Sequence, residues 1–129
     1  MTDNTMEKSF QTIHENEDLG EVKIADEVVA VIAGLAATET EGVSSMAGNI
    51  TNEIVAKLGM KNLSKGVRVA VGEEGVIVDL SLSVRYGYSI KEVSKTVQEK
   101  VSGAIETMTG LSVLKVNIRV ANLVITEEN

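Results

Sequence analysis

The segment VRVAVGEEGVIVDLSLSVR, residues 67–85, decides the fold of this 129-residue sequence. Apolar and polar residues alternate along both of its halves, as they do in strands that bury one face of a sheet. The halves are separated by Gly72–Gly75, a spacing and composition typical of a tight turn. The segment therefore predicts a β-hairpin with strands over residues 67–71 and 76–86.

A strand and a helix are predicted ahead of this hairpin. Leu19–Ile24 alternates in polarity like a short, half-buried strand. Asp26 stands where a helix N-cap is favoured, and apolar residues then recur at helical spacing as far as Gly42. Residues 44–49 are expected to form a loop, and a shorter helix is predicted over residues 50–58.

A second long helix and a last strand are predicted after the hairpin. Ser89 is a favoured N-cap, apolar residues recur by threes and fours as far as Met108, and Gly110 is a favoured C-terminal stop. The last strand covers Leu114–Val120 and then changes parity. A bulge or a break near Ala121 and Asn122 would explain that change.

This order of elements predicts an α+β fold of the split βαβ, or ferredoxin-like, type. Four antiparallel strands would form one sheet in the order 4-1-3-2, with both long helices on one face and the last strand at an edge. The other face would be polar and open to water. Its residues would be Arg68, Asp79, Ser81, Ser83, Arg85, Lys115, Asn117 and Arg119.

Charge is unevenly divided along the chain, whose formal net charge is −7. Residues 1–18 carry five acidic side chains and one lysine without a sustained apolar period. This composition predicts a disordered acidic tail. Residues 19–126 carry 12 acidic and 11 basic side chains and are predicted to form a single, nearly neutral domain.

Composition argues against several classes of function. The chain has no cysteine and one histidine, His14 in the predicted tail, which excludes thiolate zinc sites and Ser-His pairs from the predicted domain. Three aromatic residues and no basic cluster argue against nucleic-acid binding. The longest apolar run, residues 28–37, is about half of a bilayer span, and the N-terminus does not resemble a signal peptide. We therefore expect a soluble, intracellular protein that binds no cofactor and does not insert into a membrane.

Three patterns that suggest chemistry have simpler explanations. Gly72–Gly75 has the spelling of a KH-domain GxxG loop, but it joins two strands and holds two carboxylates, which favours a turn. Ser81 and Ser83 have no adjacent base, so exposed strand residues explain them better than nucleophiles do. Carboxylates at the ends of the first helix are compatible with magnesium binding, although solvated helix ends are favoured. These carboxylates belong to Asp26, Glu27, Glu39 and Glu41.

A set of short motifs, in this order, resembles the alkaline shock protein family of Gram-positive envelope stress response proteins. The resemblance spans residues 19–125 and depends on the ordered combination rather than on any single motif. The motifs are Gly20–Ile24, Val28-Val29, Ile32-Ala33, Ala36, Glu39, Gly42-Val43, Lys65-Gly66-Val67, Tyr86-Gly87, Val97-Gln98, Val101, Met108–Leu111, Val113 and Val116-Asn117.

The resemblance implies a non-enzymatic scaffold protein that acts through protein–protein contacts. Membrane association would come from a separate anchor protein rather than from the chain itself. The alternative implied by other members is a regulator of fatty-acid synthesis that contacts acetyl-CoA carboxylase. The resemblance implies no catalytic residues and does not decide between these partners.

Two places on the predicted fold are candidate contact surfaces. The helix-free face of the sheet would gather Lys115, Arg119, Arg68 and Arg85 into a mildly basic surface that suits an acidic partner segment. The last strand would also offer an unpaired edge to an anchor peptide or to a second copy of the chain. Alternatively, Lys115 and Arg119 protect that edge from aggregation. The residues Tyr86–Tyr88 are either the rim of the core or a second contact site.

Overall fold

The computed structural model describes residues 10–16, 19–46 and 65–125, which form six strands and two helices. In chain order these are β1 (Phe10–Asn16), β2 (Gly20–Ala25), α1 (Asp26–Thr38), β3 (Val43–Met46), β4 (Val67–Val71), β5 (Val76–Arg85), α2 (Ile90–Thr109) and β6 (Val113–Val124). The predicted α+β class with two main helices is confirmed.

β5 is the central strand of the main sheet. It pairs antiparallel with β4 and, further along the same side, with β3, while β6 pairs with its other side in parallel. Alternate residues of β5 are fully buried beneath the helices, which places the core on that face of the sheet. The buried residues are Val76, Val78, Leu80, Leu82 and Val84.

The predicted hairpin and the predicted second helix are both confirmed. β4 and β5 are register partners from Val67 opposite Leu80 to Val71 opposite Val76. α2 begins after Ser89, whose Oγ accepts a hydrogen bond from the backbone N–H of Glu92 at 3.2 Å. It ends at Gly110, whose φ of 79° is the left-handed conformation that glycine adopts easily. One apolar stripe of α2 is buried against the core, namely Val93, Val97, Val101 and Ile105.

α1 begins and ends earlier than predicted. Ala25 is its N-cap and makes no side-chain capping bond, so Asp26 belongs to the first turn instead of capping it. The helix stops at Thr38, four residues before Gly42, because the hydroxyls of Thr38 and Thr40 donate to the carbonyls of its last turn.

The predicted bulge in the last strand is confirmed, and β6 extends to Val124. Its register with β5 shifts between the pair Leu82–Val120 and the pair Ser83–Asn122, which leaves Ala121 as the extra residue. The shift moves the residues that follow to the opposite parity, as the sequence indicated.

The predicted split βαβ arrangement is not confirmed, and the strand order 4-1-3-2 is wrong. β2 does not enter the main sheet but pairs with β1 in a separate two-stranded sheet. β6 pairs in parallel with β5, so the main sheet is mixed rather than antiparallel. The physical reason lies in β2, whose first four residues are exposed. A strand at the centre of this sheet needs one face buried along its whole length, as β5 has.

Two further expectations change in the N-terminal half. A disordered tail over residues 1–18 does not hold for residues 10–16, which form β1. The predicted loop at residues 44–49 begins with the short strand β3, which ends at Met46. The predicted short helix over residues 50–58 lies outside the described residues.

Candidate functional site: a basic concavity on the helix-free face

The helix-free face of the main sheet brings residues of three strands into register. Arg68 in β4 lies opposite Asp79 in β5, and Asp79 lies opposite Asn117 in β6. In the next row, Ser81 of β5 lies opposite Arg119 of β6. Strand alternation thus places these five polar residues on the face that the helices leave open.

These residues line a concavity of about 710 Å³. A volume of this size is within the range of sites that hold small ligands or the side chains of a docked segment. Its lining consists of Gly66, Val67, Arg68, Asp79, Leu80, Ser81, Asn117, Ile118 and Arg119.

Two hydrogen bonds organise the polar groups of this face. Asn117 donates from Nδ2 to Oδ1 of Asp79 at 2.8 Å. Further along, Asn122 donates from Nδ2 to Oγ of Ser83 at 3.3 Å, and Ser83 is only 3% exposed. The carboxylate of Asp79 is therefore bound by a neutral amide.

Arg68 and Arg119 are the two cationic residues of the concavity. Both are exposed, and within the described residues neither forms an ion pair with Asp79 or with another carboxylate. From strand spacing, their Cα atoms are about 12 Å apart across the sheet, so two long side chains can converge on one anionic group. Guanidinium groups suit this task because their fixed N–H donors match the oxygens of a carboxylate.

The other two predicted cations share this face but do not line the concavity. Lys115 lies opposite Ile77, towards the turn between β4 and β5. Arg85 lies opposite Val124, at the far end of β5. The predicted basic surface is thus a line of cations along the sheet, of which Arg68 and Arg119 meet in the concavity.

The two tyrosines lie in the turn that follows β5, outside the concavity. Tyr88 donates from its hydroxyl to Oε2 of Glu41 at 3.4 Å, and its ring covers Gly42. Tyr86 is 67% exposed, and its backbone N–H donates to the carbonyl of Val124 at 2.8 Å. Tyr88 is therefore a rim residue of the core, while the ring of Tyr86 is available for contact.

Sequence reasoning missed the position of Gln98. Its Nε2 donates to the backbone carbonyl oxygen of Val116 in β6 at 3.0 Å, which ties α2 to that strand. Gln98 belongs to one of the short family motifs, but no pattern in the sequence indicates which strand its side chain reaches.

Among the described residues, Ser83 and the carboxylates at the two ends of α1 are not brought together in one site. Ser83 is buried against Asn122, and Asp26 and Glu27 stand at the opposite end of α1 from Glu39 and Glu41. In the described ranges, no group of histidine and carboxylate residues is placed to hold a metal ion. Neither described helix has the length and hydrophobicity that a membrane crossing requires.

Comparison with known proteins gives a consistent set of relatives. The profile of the alkaline shock protein 23 family, described as having a cell envelope-related function, matches residues 14–125. The Bacillus subtilis protein YqhY is 39% identical over 123 residues, covering 95% of this chain and 89% of the relative. YloU of the same organism is 36% identical over 109 residues, covering 83% of this chain and 91% of the relative. A Streptococcus pyogenes protein named stress response regulator gls24 homolog is 27% identical over 110 residues, covering 84% of this chain and 62% of the relative.

Solved structures add little to this comparison. A chain named MamM CTD covers 79% of this chain and 96% of its own length with a TM-score of 0.46 at 13% identity. Similarity at this level carries no argument about function.

Proposed function

Because the chain belongs to the alkaline shock protein 23 family, whose function is related to the cell envelope, we propose that it is a non-enzymatic scaffold protein. It acts by binding an acidic segment of a partner protein at the concavity of the helix-free face. The partner is a membrane-anchoring protein, so the chain works in the cytoplasm and reaches the membrane only through that partner.

One observation carries this proposal: two exposed arginines from different strands face one concavity without a carboxylate partner among the described residues. Asp79, the one acidic residue of the lining, is bound by Asn117. A docked carboxylate would supply the missing counter-charge. Charge-assisted bonds to guanidinium groups are about twice as strong as neutral hydrogen bonds.

Affinity capture from membrane and cytosolic fractions tests the proposal. The chain at its native expression level is compared with the double variant Arg68→Glu, Arg119→Glu. Both residues are exposed, so the reversal should change the free energy of unfolding by only about 0.5 kcal/mol each. We expect the variant to stay folded and to lose the partner that the unchanged chain captures.

A matched control separates the concavity from the effect of net charge. The double variant Lys95→Glu, Lys100→Glu alters net charge equally but lies on exposed positions of α2. It should capture the partner as the unchanged chain does. Equal capture by all three proteins would contradict binding at the concavity.

The identity of the captured protein decides between the two partner classes. A small membrane protein supports the anchored scaffold. The other result would be capture of a subunit of acetyl-CoA carboxylase from the cytosolic fraction and its loss with the arginine variant. In that case the function would be regulation of fatty-acid synthesis instead of an anchored scaffold.

A further inference from the structure

β6 forms an open edge of the main sheet. It spans twelve residues and, within the described residues, pairs with β5 on one side and with no strand on the other. It carries Lys115 and Arg119 and no acidic residue. An edge of this length presents a row of backbone donors and acceptors that another strand can pair with.

Among the residues that the structure describes, only part of this edge is covered. The Nε2 of Gln98 donates a hydrogen bond to the carbonyl oxygen of Val116. Backbone groups of successive residues point alternately to the two sides of a strand, so Leu114 and Ile118 share the orientation of Val116. No hydrogen bond from another described side chain occupies the carbonyl oxygens of those two residues.

The arm, defined as strands β1 and β2, is the other incomplete part of the structure. It is a two-stranded sheet without a ladder to the main sheet, and a sheet of two strands is at best marginally stable by itself. Val22 of β2 is 48% exposed. Among the described residues, the first part of β2 is therefore uncovered, whereas Ile24 near its end packs against the core.

The charges of the arm and of the open edge are opposite. The two strands of the arm carry Glu15, Glu21 and Lys23, and the sequence between them adds Glu17 and Asp18. Glu15 and Glu21 are register partners in the arm, and Glu21 forms an ion pair with Lys23 at 3.5 Å. A cationic strand beside the arm would complement the net negative charge of this part of the sequence.

The arm and β6 are joined to different helices of the fold. β2 runs into α1 without an intervening residue. α1 packs against β4 and β3, whereas α2 packs against β6 and lies beside α1. The arm is thus continuous with the helix on the β4 side of the sheet, whereas β6 follows the other helix.

We propose that the arm of one copy of this chain pairs with the outer edge of β6 in a second copy. The contact is heterologous, because the arm and the edge are different surfaces, and it produces either a closed ring or an open chain of copies. The arm does not line the concavity of the proposed partner site, whereas the β6 edge shares Arg119 with it.

Reversing the charge of each surface tests this proposal on the full-length protein. One variant reverses the edge (Lys115→Glu, Arg119→Glu) and the other reverses the arm (Glu15→Lys, Glu21→Lys). Mass is measured by sedimentation over roughly a hundredfold range of concentration, where a reversible assembly follows mass action. We expect the unchanged chain to associate and each variant to show a dissociation constant at least about tenfold higher.

Mixing the two variants gives the decisive result. The reversed arm of one variant matches the reversed edge of the other, so the equimolar mixture should associate again. The α2 control variant Lys95→Glu, Lys100→Glu should behave like the unchanged chain. A monomeric unchanged chain over the whole range, or a mixture that stays monomeric, would overturn the proposal.

Two variants distinguish a failure of this self-association proposal from a failure of the partner-binding proposal. The arm variant leaves Arg68 and Arg119 in place, so it should lose self-association and still capture the partner. The single variant Arg68→Glu lies on β4, away from the β6 edge, and should weaken capture without changing the sedimentation result.

Discussion

Gly42 is a residue at which helix and sheet pack closely against each other. Its φ is +96°, and a Cβ atom at this position would lie 2.6 Å from Cγ2 of Val93 and 2.9 Å from Cδ2 of Tyr88. Its carbonyl oxygen also accepts the backbone N–H of Arg85 at 2.9 Å. One residue therefore sets the spacing between the start of β3, the end of β5 and the first turn of α2.

Replacing this glycine should be costly. We expect Gly42→Ala to lower the free energy of unfolding by about 2–4 kcal/mol, because it adds the strain of a positive φ to overpacking of the core. Chemical denaturation followed by circular dichroism measures this change.

Gly87→Ala is the matched control for that variant. Gly87 has a φ of +100°, but a Cβ atom there would meet nothing within 4 Å. The control should lower the free energy of unfolding only by the strain of an alanine at positive φ, about 1–2 kcal/mol. Equal losses for the two variants would show that the close packing around Gly42 contributes nothing to stability.

α2 is the element whose start and end are fixed most clearly by local chemistry. Ser89 accepts the N–H of Glu92, whereas Ala25 at the start of α1 makes no capping bond from its side chain. We expect Ser89→Ala to lower the free energy of unfolding by about 1 kcal/mol, measured by denaturant titration. Ser89→Asp keeps an acceptor at the cap and should retain most of the stability, and a loss as large as that of the alanine variant would contradict the capping role.

The elements that the sequence predicted correctly are those whose pattern is local. The β4–β5 hairpin, the cap and stop of α2, and the bulge at Ala121 each depend on residues that are neighbours in the chain. Alternation, capping and parity therefore identified them.

The elements that were mispredicted depend on pairing between distant residues. The strand at Gly20–Ala25 was correctly identified, but its partner β1 was assigned to a tail because its residues show no sustained period. The expected sheet order then failed, since nothing in the pattern of β6 shows whether it pairs with β2 or with β5. The edge position of β6 was nevertheless correct, because β6 is the last strand of the sheet in both arrangements.

The candidate site was partly accessible from sequence for the same reason. Strand parity placed Arg68, Asp79, Ser81, Asn117 and Arg119 on one face, and the structure agrees. The register that brings Arg68 and Arg119 into one concavity, and separates them from Lys115 and Arg85, comes from the pairing of three strands. Parity alone cannot supply that register.

At the scale of the whole molecule, the family resemblance inferred from short motifs is confirmed by the match to residues 14–125. The chain carries a formal net charge of −7, and its twelve basic residues are spread along the sequence rather than gathered into a polybasic cluster. Adhesion to anionic lipid depends on such clusters, at about 1 kcal/mol per basic residue near the surface.

We therefore expect the purified protein not to bind anionic vesicles by itself. In a flotation experiment at physiological salt, it should stay at the bottom of the gradient with vesicles that contain phosphatidylglycerol. Addition of the captured membrane partner to the vesicles should carry it upwards. Flotation of the protein alone would contradict membrane association through a partner.

The central claim is that the partner docks on the helix-free face, and site-specific photocrosslinking in living cells tests it most directly. A photoreactive amino acid at Ser81, within the concavity, is compared with one at Glu99, an exposed position of α2. We predict a covalent adduct with one partner protein from position 81 that is absent from position 99 and lost when Arg68→Glu is added. Adducts with that partner from position 99 alone, or from both positions without any effect of Arg68→Glu, would contradict the account.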